Sequence, residues 1–204
     1  MIKMSDKQPA CMGWCHTYTL KKIDPRNIRV EDIDIDDIAH HLTLRNRFSC
    51  ATPYPYSVAQ HSVIVASILP EEFKLWGLLH DAGEFMNPDF PSPIKADPIL
   101  APVVGWEHRS LRSAIDRFGL TWPQPECVHT ADRIVLATEA RDLFGDRGEW
   151  GLEEKPLSLT IEETPWRKVK SDFLRLFDDL MYSRKQASDQ PAVLSWQDVP
   201  EVED

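Results

Sequence analysis

Apolar residues recur along this chain at spacings of three and four, the period of helices that turn one face inward. The first run, Ile35, Ile38, Ala39 and Leu42, follows the acidic turn Glu31 to Asp34 and predicts a helix ending near Leu44, with carboxylates suited to its N-terminus. After the breaker-rich loop ATPYPY comes SVAQHSVIVASIL, where Ser57 and Gln60 have the spacing of a capping box and His61 falls in or just after the first turn. That run is apolar nearly all round, which predicts a central helix, and Pro70 ends it. A third helix is expected over Glu71 to Phe85, with Phe73, Trp76, Leu78 and Leu79 on its buried side, Gly77 admitting a close neighbour, and His80, Asp81 and Glu84 along its length.

The four prolines of NPDFPSPIKADP forbid a regular helix and stiffen the segment into a loop. Val104, His108, Leu111, Ile115 and Phe118 predict the next helix, and Val128, Asp132, Val135, Leu136 and Leu143 another. A polar loop follows from Gly145 to Thr160. Thr164 then reads as an N-cap with Pro165 at the first helical position, opening a core helix through Trp166, Val169, Phe173, Leu176, Phe177 and Leu180. Beyond Ser183 the chain turns polar and acidic, as a mobile tail would, with Trp196 as its one apolar anchor. The expected fold is all-α: one helical bundle over residues 1–182 and a polar, acidic tail over 183–204.

Composition narrows this picture mainly by exclusion. With 204 residues, 42% of them hydrophobic, the chain can build one packed core. Its 23 Lys and Arg against 33 Asp and Glu leave a net charge of −10, which works against a nucleic-acid polymer as partner. Apolar runs such as Val63 to Ala66 fall far short of the roughly 20 residues a membrane helix needs. The start MIKMSDKQPA lacks the apolar stretch of a signal peptide, so a cytoplasmic protein without a membrane partner is expected. Neither GxGxxG nor GxxxxGK[ST] occurs, which excludes Rossmann and P-loop chemistry. Cys11, Cys15, Cys50 and Cys127 show no two-residue gap and read as free thiols; Cys11, Cys15 and His16 are set aside as a metal group.

The informative set is His61, the adjacent pair His80 and Asp81, and Asp132, each in an otherwise apolar helical run. Buried charge needs partners, and two imidazoles with two carboxylates suit a divalent cation of intermediate softness. Neighbours on a helix point about 100° apart, so His80 and Asp81 can share an ion only in the angle between them, with His61 and Asp132 arriving from other helices.

The pattern H…HD…D on these four residues, with YSVAQHS, LLHDAGEF, PDFPSPIK and ADRIVLATEARDL around them, resembles the HD-domain phosphohydrolases. The likeness is to the small branch containing YfbR-like 5′-deoxynucleotidases and phage dATP triphosphohydrolases, and it covers roughly Ile33 to Phe144. His80-Asp81-x-x-Glu84 followed by the proline-spaced Asp89 to Lys95 is its most specific part. The resemblance implies one divalent transition metal, such as Co²⁺, Mn²⁺ or Zn²⁺, held by His61, His80, Asp81 and Asp132 for the hydrolysis of phosphate esters.

Glu84 is three residues beyond Asp81 and four beyond His80, hence on the same predicted helical face and a candidate to handle protons. Asp89, in the stiff loop, could orient the attacking water or protonate the leaving 5′-oxygen. The resemblance supports both as catalytic and leaves open which is the acid. It further implies an Arg and a Lys against the substrate phosphate at Arg47 and Lys95, with Arg45 as the alternative if the register slips, and an aromatic against sugar or base at Phe48. Arg109 and Arg112 could reach a longer polyphosphate. Some HD branches hold a second metal with extra histidines, here His108 or His129, but the best-matching branch is mononuclear and one metal is expected. His40 and His41 carry no comparable motif.

The expected substrate is therefore a 2′-deoxynucleotide. Release of triphosphate from a dNTP is preferred, hydrolysis of a dNMP is the alternative, and a catalytically silent nucleotide-binding regulator is the reading from another class. Relatives in the resembling branch are often dimers, which makes a homo-oligomer through Trp106 or Trp122 conceivable.

Overall fold

The computed structural model describes residues 13–145 and 149–189, and the seven α-helices among them build an all-α bundle. Helix α1 (Ile35–Leu44) begins at Asp34, whose carboxylate accepts the Asp36 N–H. Helix α2 (Val58–Ser67) begins at Ser57, whose hydroxyl accepts the Gln60 N–H at 3.2 Å. Only half of the expected box closes, because the Gln60 amide donates instead to the Glu162 carbonyl, 2.9 Å away. Four helices pack around α2: α1, α3 (Glu71–Leu79), α6 (Glu126–Phe144) and α7 (Trp166–Asp189). This is the central position its unbroken apolar surface requires. Helix α3 comes close because Gly77 has no Cβ; one added there would collide with Leu69 Cδ1 and lie 3.1 Å from Ala66 Cα.

The third helix is shorter than its periodicity predicts. It stops at Leu79, Asp81 adopts φ −98° and ψ 11°, and Ala82–Phe85 form a 3-10 turn. The turn is wedged between α1 and α5 (Ala101–Arg117). A Cβ on Gly83 would sit 2.5 Å from the Glu107 carbonyl oxygen and 3.0 Å from Leu111 Cβ, so tertiary packing overrides local helical preference here. Gly83→Ala should accordingly destabilise the fold by about 1–3 kcal/mol, the usual range for overpacking. Urea denaturation reads this out, and a variant as stable as wild type would contradict the close approach.

Three further departures have local causes. The proline-rich loop contains a single helical turn, α4 (Ser92–Lys95), because Pro93 occupies a first-turn position where its missing N–H is not needed. A 3-10 turn, Pro98–Leu100, follows, capped by the Asp97 carboxylate on the Ile99 N–H at 2.9 Å. Helix α7 starts one residue later than expected: the Pro165 carbonyl accepts from Lys168 and Val169, and the Thr164 hydroxyl donates to the Glu162 carbonyl.

Helix α7 also runs to Asp189, past the expected boundary at 183. Arg184 explains the extension, since it donates to the Phe118 and Gly119 carbonyls at 2.9 and 2.8 Å and so closes the C-terminal end of α5. Cys11 and Trp196 lie outside the described residues. A two-stranded hairpin, β1 (Cys15–His16) with β2 (Lys22–Ile23), is too short for a period-2 pattern to announce it. Trp122 is exposed and Trp106 half-buried. No helix among the described residues is long and apolar enough to cross a membrane.

Candidate metal centre

Three helices and the break after α3 converge on one point. Helix α2 brings His61, fully buried, in its first turn; His80 ends α3; Asp81 stands in the break; Asp132 comes from α6. The outward nitrogen of each imidazole meets an acceptor: His61 Nδ1 lies 2.7 Å from Glu139 Oε1, and His80 Nδ1 lies 2.7 Å from the Gly77 carbonyl. Those acceptors fix the ring protons on Nδ1 and turn both Nε2 lone pairs inward.

The two Nε2 atoms are 3.3 Å apart. Asp81 Oδ2 lies 3.3 Å from His80 Nε2 and 4.0 Å from His61 Nε2. Asp132 Oδ1 lies 3.0 Å from His61 Nε2 and 4.0 Å from His80 Nε2. In that tautomer four acceptors face one another; three of the spacings match the roughly 3–3.5 Å expected for ligands each about 2.1 Å from a common ion, and the two at 4.0 Å are longer. His61, His80 and Asp81 form a group that could hold a metal ion. The helix break makes this possible, because it frees Asp81 to turn its carboxylate toward the imidazole of its neighbour.

Burial and the Arg47 charge oppose protonation of His61, but Glu139 and Asp132 overcome them and bring its pKa up to about 9. His80 is raised likewise, against burial, by Asp81 and Asp132. Burial works to raise Asp132, yet His61 and His80 bring it down to about 2, and His80 with His61 holds Asp81 well below the carboxylate range.

Glu139 is the residue that sequence reasoning missed. It is fully buried, and besides His61 it holds Arg47, whose Nη2 lies 3.1 Å from Oε2. Its position seven residues after Asp132, two turns along the same face of α6, was the available signal. Arg47 also lies 3.5 Å from Asp81 Oδ2 through Nη1, so its fork is already engaged by two carboxylates of the centre. Tyr56 is buried beside Glu139, and burial together with that charge pushes its phenol well up.

A second group adjoins the first. Glu84 is buried, with Oε1 2.7 Å from Lys95 Nζ and Oε2 without a hydrogen-bond partner among the described residues. Burial, then Asp81 and Asp89, push the Glu84 carboxyl up to about 8 despite Lys95. Asp89 is raised by burial, against the pull of Arg47, Lys95 and Arg45. Arg45 faces Glu84, Asp89 and Glu107, and burial lowers its pKa. Glu107, from α5, lies 3.0 Å from Lys95 Nζ and was likewise not singled out by the sequence.

Phe48 opens a left-handed turn, with φ of 54°, 50° and 64° at Phe48, Ser49 and Cys50. Its ring meets Phe144 and Trp150 edge-on at 5.1 and 5.8 Å, and the Arg47 guanidinium lies 5.2 Å from its centroid. Other sequence candidates are engaged elsewhere. Arg109 donates to the Arg26 carbonyl, and Arg112 pairs with Asp116 and lies over Trp122. His108 and His129 are exposed, and His129 faces Gln124. His40 stacks on Tyr18, His41 accepts the Tyr18 N–H, and His16 Nδ1 lies 3.3 Å from the Leu20 carbonyl.

No family model matches the chain. Over 185 residues it is 34% identical to the uncharacterized protein YfdR of Escherichia coli K12, a match covering 86% of this chain and 100% of that protein. The chain belongs to the YfdR family. It is also 32% identical over 146 residues to the uncharacterized protein RCAP_rcc00048 of Rhodobacter capsulatus, covering 65% of this chain and 74% of that protein. The likeness therefore spans the whole of YfdR and most of this chain.

Proposed function

We propose that this YfdR-family protein is a hydrolase of phosphate esters of 2′-deoxynucleotides, with one divalent transition metal held by His61, His80, Asp81 and Asp132. The observation that carries the reading is the convergence of two imidazole nitrogens and two carboxylate oxygens, each oxygen within 4.0 Å of both nitrogens. That donor set suits Co²⁺, Mn²⁺ or Zn²⁺. When bound, such an ion makes water acidic enough to act near neutral pH and withdraws charge from a phosphoryl oxygen.

The remaining roles fall to the chain's own groups. Glu139 orients His61 through Nδ1 and balances Arg47. Glu84, held at about 8, can give or take a proton near neutrality, and its unpartnered Oε2 is the atom free to do so. Asp89 is the second carboxyl within electrostatic reach of Arg47 and Lys95. Lys95, beside Glu84, and Arg47, beside Asp81, supply positive charge for a phosphate on two sides of the centre. The HD-domain resemblance of the motifs adds the same assignment of roles.

On substrate length the proposal departs from the expectation. The preference for a dNTP leaned on Lys95 with Arg109 or Arg112 to hold two further phosphates; Lys95 is in place beside Glu84, whereas Arg109 donates to the Arg26 carbonyl and Arg112 pairs with Asp116. Their placement supports a 5′-monophosphate, which yields deoxynucleoside and inorganic phosphate.

The test is release of phosphate or triphosphate from a panel of dNMPs and dNTPs by the full chain loaded with Co²⁺, Mn²⁺ or Zn²⁺. Phosphate from dNMPs is expected. Nucleotide binding without turnover of any member would overturn the hydrolase in favour of a nucleotide-binding regulator. Glu84→Gln should lower kcat by about 10²–10⁴, the range for loss of a positioned acid or base, while leaving metal content unchanged. Unaltered kcat in that variant would remove Glu84 from the proton chemistry.

A further inference from the structure

Lys95 is shared between two carboxylates. Its ammonium lies 2.7 Å from Glu84 Oε1 and 3.0 Å from Glu107 Oε1, which arrive from different elements, the 3-10 turn after Asp81 and the body of α5. Both side chains are largely out of water, at 5% and 17% exposure, whereas Lys95 keeps 26%. An ammonium has three donors, so with two taken one is left for a further acceptor.

Glu107 is also held independently of Lys95. Its carbonyl oxygen packs against Gly83 so closely that a Cβ there would come within 2.5 Å, which locks Glu107 to the same turn that carries Glu84. The backbone of Glu107 is thereby set against the turn that carries Glu84, whether or not the lysine bridges the two side chains. Two carboxylates from separate elements fix where the ammonium sits and where its remaining N–H points better than one would.

We propose that Glu107 is a positioning residue for the proposed phosphohydrolase: it shares the Lys95 ammonium with Glu84, so that two of its hydrogens are fixed and the third is aimed at a substrate phosphate. Without Glu107, Lys95 keeps only its Glu84 contact, the ammonium is free to turn about it, and the phosphate contact weakens. The inference rests on the hydrolase reading for the nature of the anion, but not for the geometry.

The sign of one measurement separates positioning from plain charge. Neutralising a carboxylate near an anion site should tighten phosphate binding by Coulomb's law, whereas loss of a positioning contact should weaken it. Calorimetric titration of the metal-loaded full chain with inorganic phosphate is expected to show Glu107→Gln binding about tenfold more weakly, the effect of one charge-assisted hydrogen bond, with metal content and Tm unchanged. KM for a dNMP should rise in parallel and kcat change less. In a Lys95→Met background, Glu107→Gln should no longer weaken phosphate binding. Glu107→Asp, one methylene shorter, should move in the same direction by a smaller factor and serves if the glutamine variant folds poorly. Phosphate binding as tight as wild type or tighter in Glu107→Gln overturns the proposal, as does a wild-type protein with no measurable phosphate affinity. Glu107-dependent phosphate binding without any turnover would sink the hydrolase and leave this inference standing; turnover with KM insensitive to Glu107 would do the reverse.

Discussion

Glu139→Ala should cost about 3–5 kcal/mol of stability, the range for breaking one partner out of a buried ion pair. Two cationic groups depend on this carboxylate, His61 at 2.7 Å and Arg47 at 3.1 Å, and Glu139 itself has no exposed surface. Alanine leaves Asp81, at 3.5 Å, as the ion-pair partner of the guanidinium among the described residues and leaves the His61 ring without the acceptor that sets its tautomer. Metal affinity should fall together with stability, by about 10–100-fold, as is usual when the carboxylate behind a ligating histidine is removed. Glu139→Gln should lose much less, because its amide oxygen can still accept from His61 or Arg47. Burial raises the Glu139 pKa, but Arg47 and His61 hold it below the ordinary value. A depressed carboxyl stabilises the fold above its unfolded pKa, and that contribution should vanish as pH falls through the lowered native value. Urea denaturation at pH 7 and at acid pH checks both statements. An alanine variant within about 1 kcal/mol of wild type would mean that Arg47 finds another partner, contrary to the range expected for a buried pair.

What the sequence made legible, and what it hid, follows from how each feature is encoded. The place of α2 was readable because a run apolar on every side can only be interior. His61, His80, Asp81 and Asp132 stood out because each is an ionisable residue inside an apolar stretch. Glu139 did not, because the adjoining Arg141 and Asp142 make that part of α6 look like a solvated helix end, although Glu139 has no exposed surface. The break after Leu79 was hidden for a different reason. Periodicity through residues 71–85 is continuous, and the departure arises from the contact of Gly83 with Glu107 and Leu111, residues distant in sequence. Residues 183–189 carry no apolar period to read; they are helical because Arg184 reaches back to close α5. Long-range contacts of this kind leave no local signature, and Glu107 escaped notice on the same ground.

Metal removal should make the protein's stability depend on pH in a way the loaded protein's does not. In the metal-free centre His61 replaces the cation by holding a proton up to about 9, against an ordinary value of 6.5. A base whose native pKa is raised stabilises the fold fully below its unfolded pKa and loses that contribution as pH rises through the native one. Glu84, raised to about 8, works in the same sense, because the folded state binds its proton more tightly than the unfolded chain does. Chelated protein is therefore expected to lose Tm progressively between about pH 4.5 and 9, with the part due to His61, between about 6.5 and 9, confined to the metal-free state. With metal at 100 times its Kd the fold gains about 2.7 kcal/mol, and the gap between loaded and chelated protein should widen toward alkaline pH as the competing protons leave. Asp81→Ala supplies the decisive control. Its carboxylate faces both Nε2 atoms, so the variant should take up no metal, hydrolyse no nucleotide, and show the same Tm with and without chelator at every pH. Metal content equal to wild type in Asp81→Ala would break the ligand assignment, and a chelator-insensitive wild type would show that protons alone are what these four side chains are built to hold.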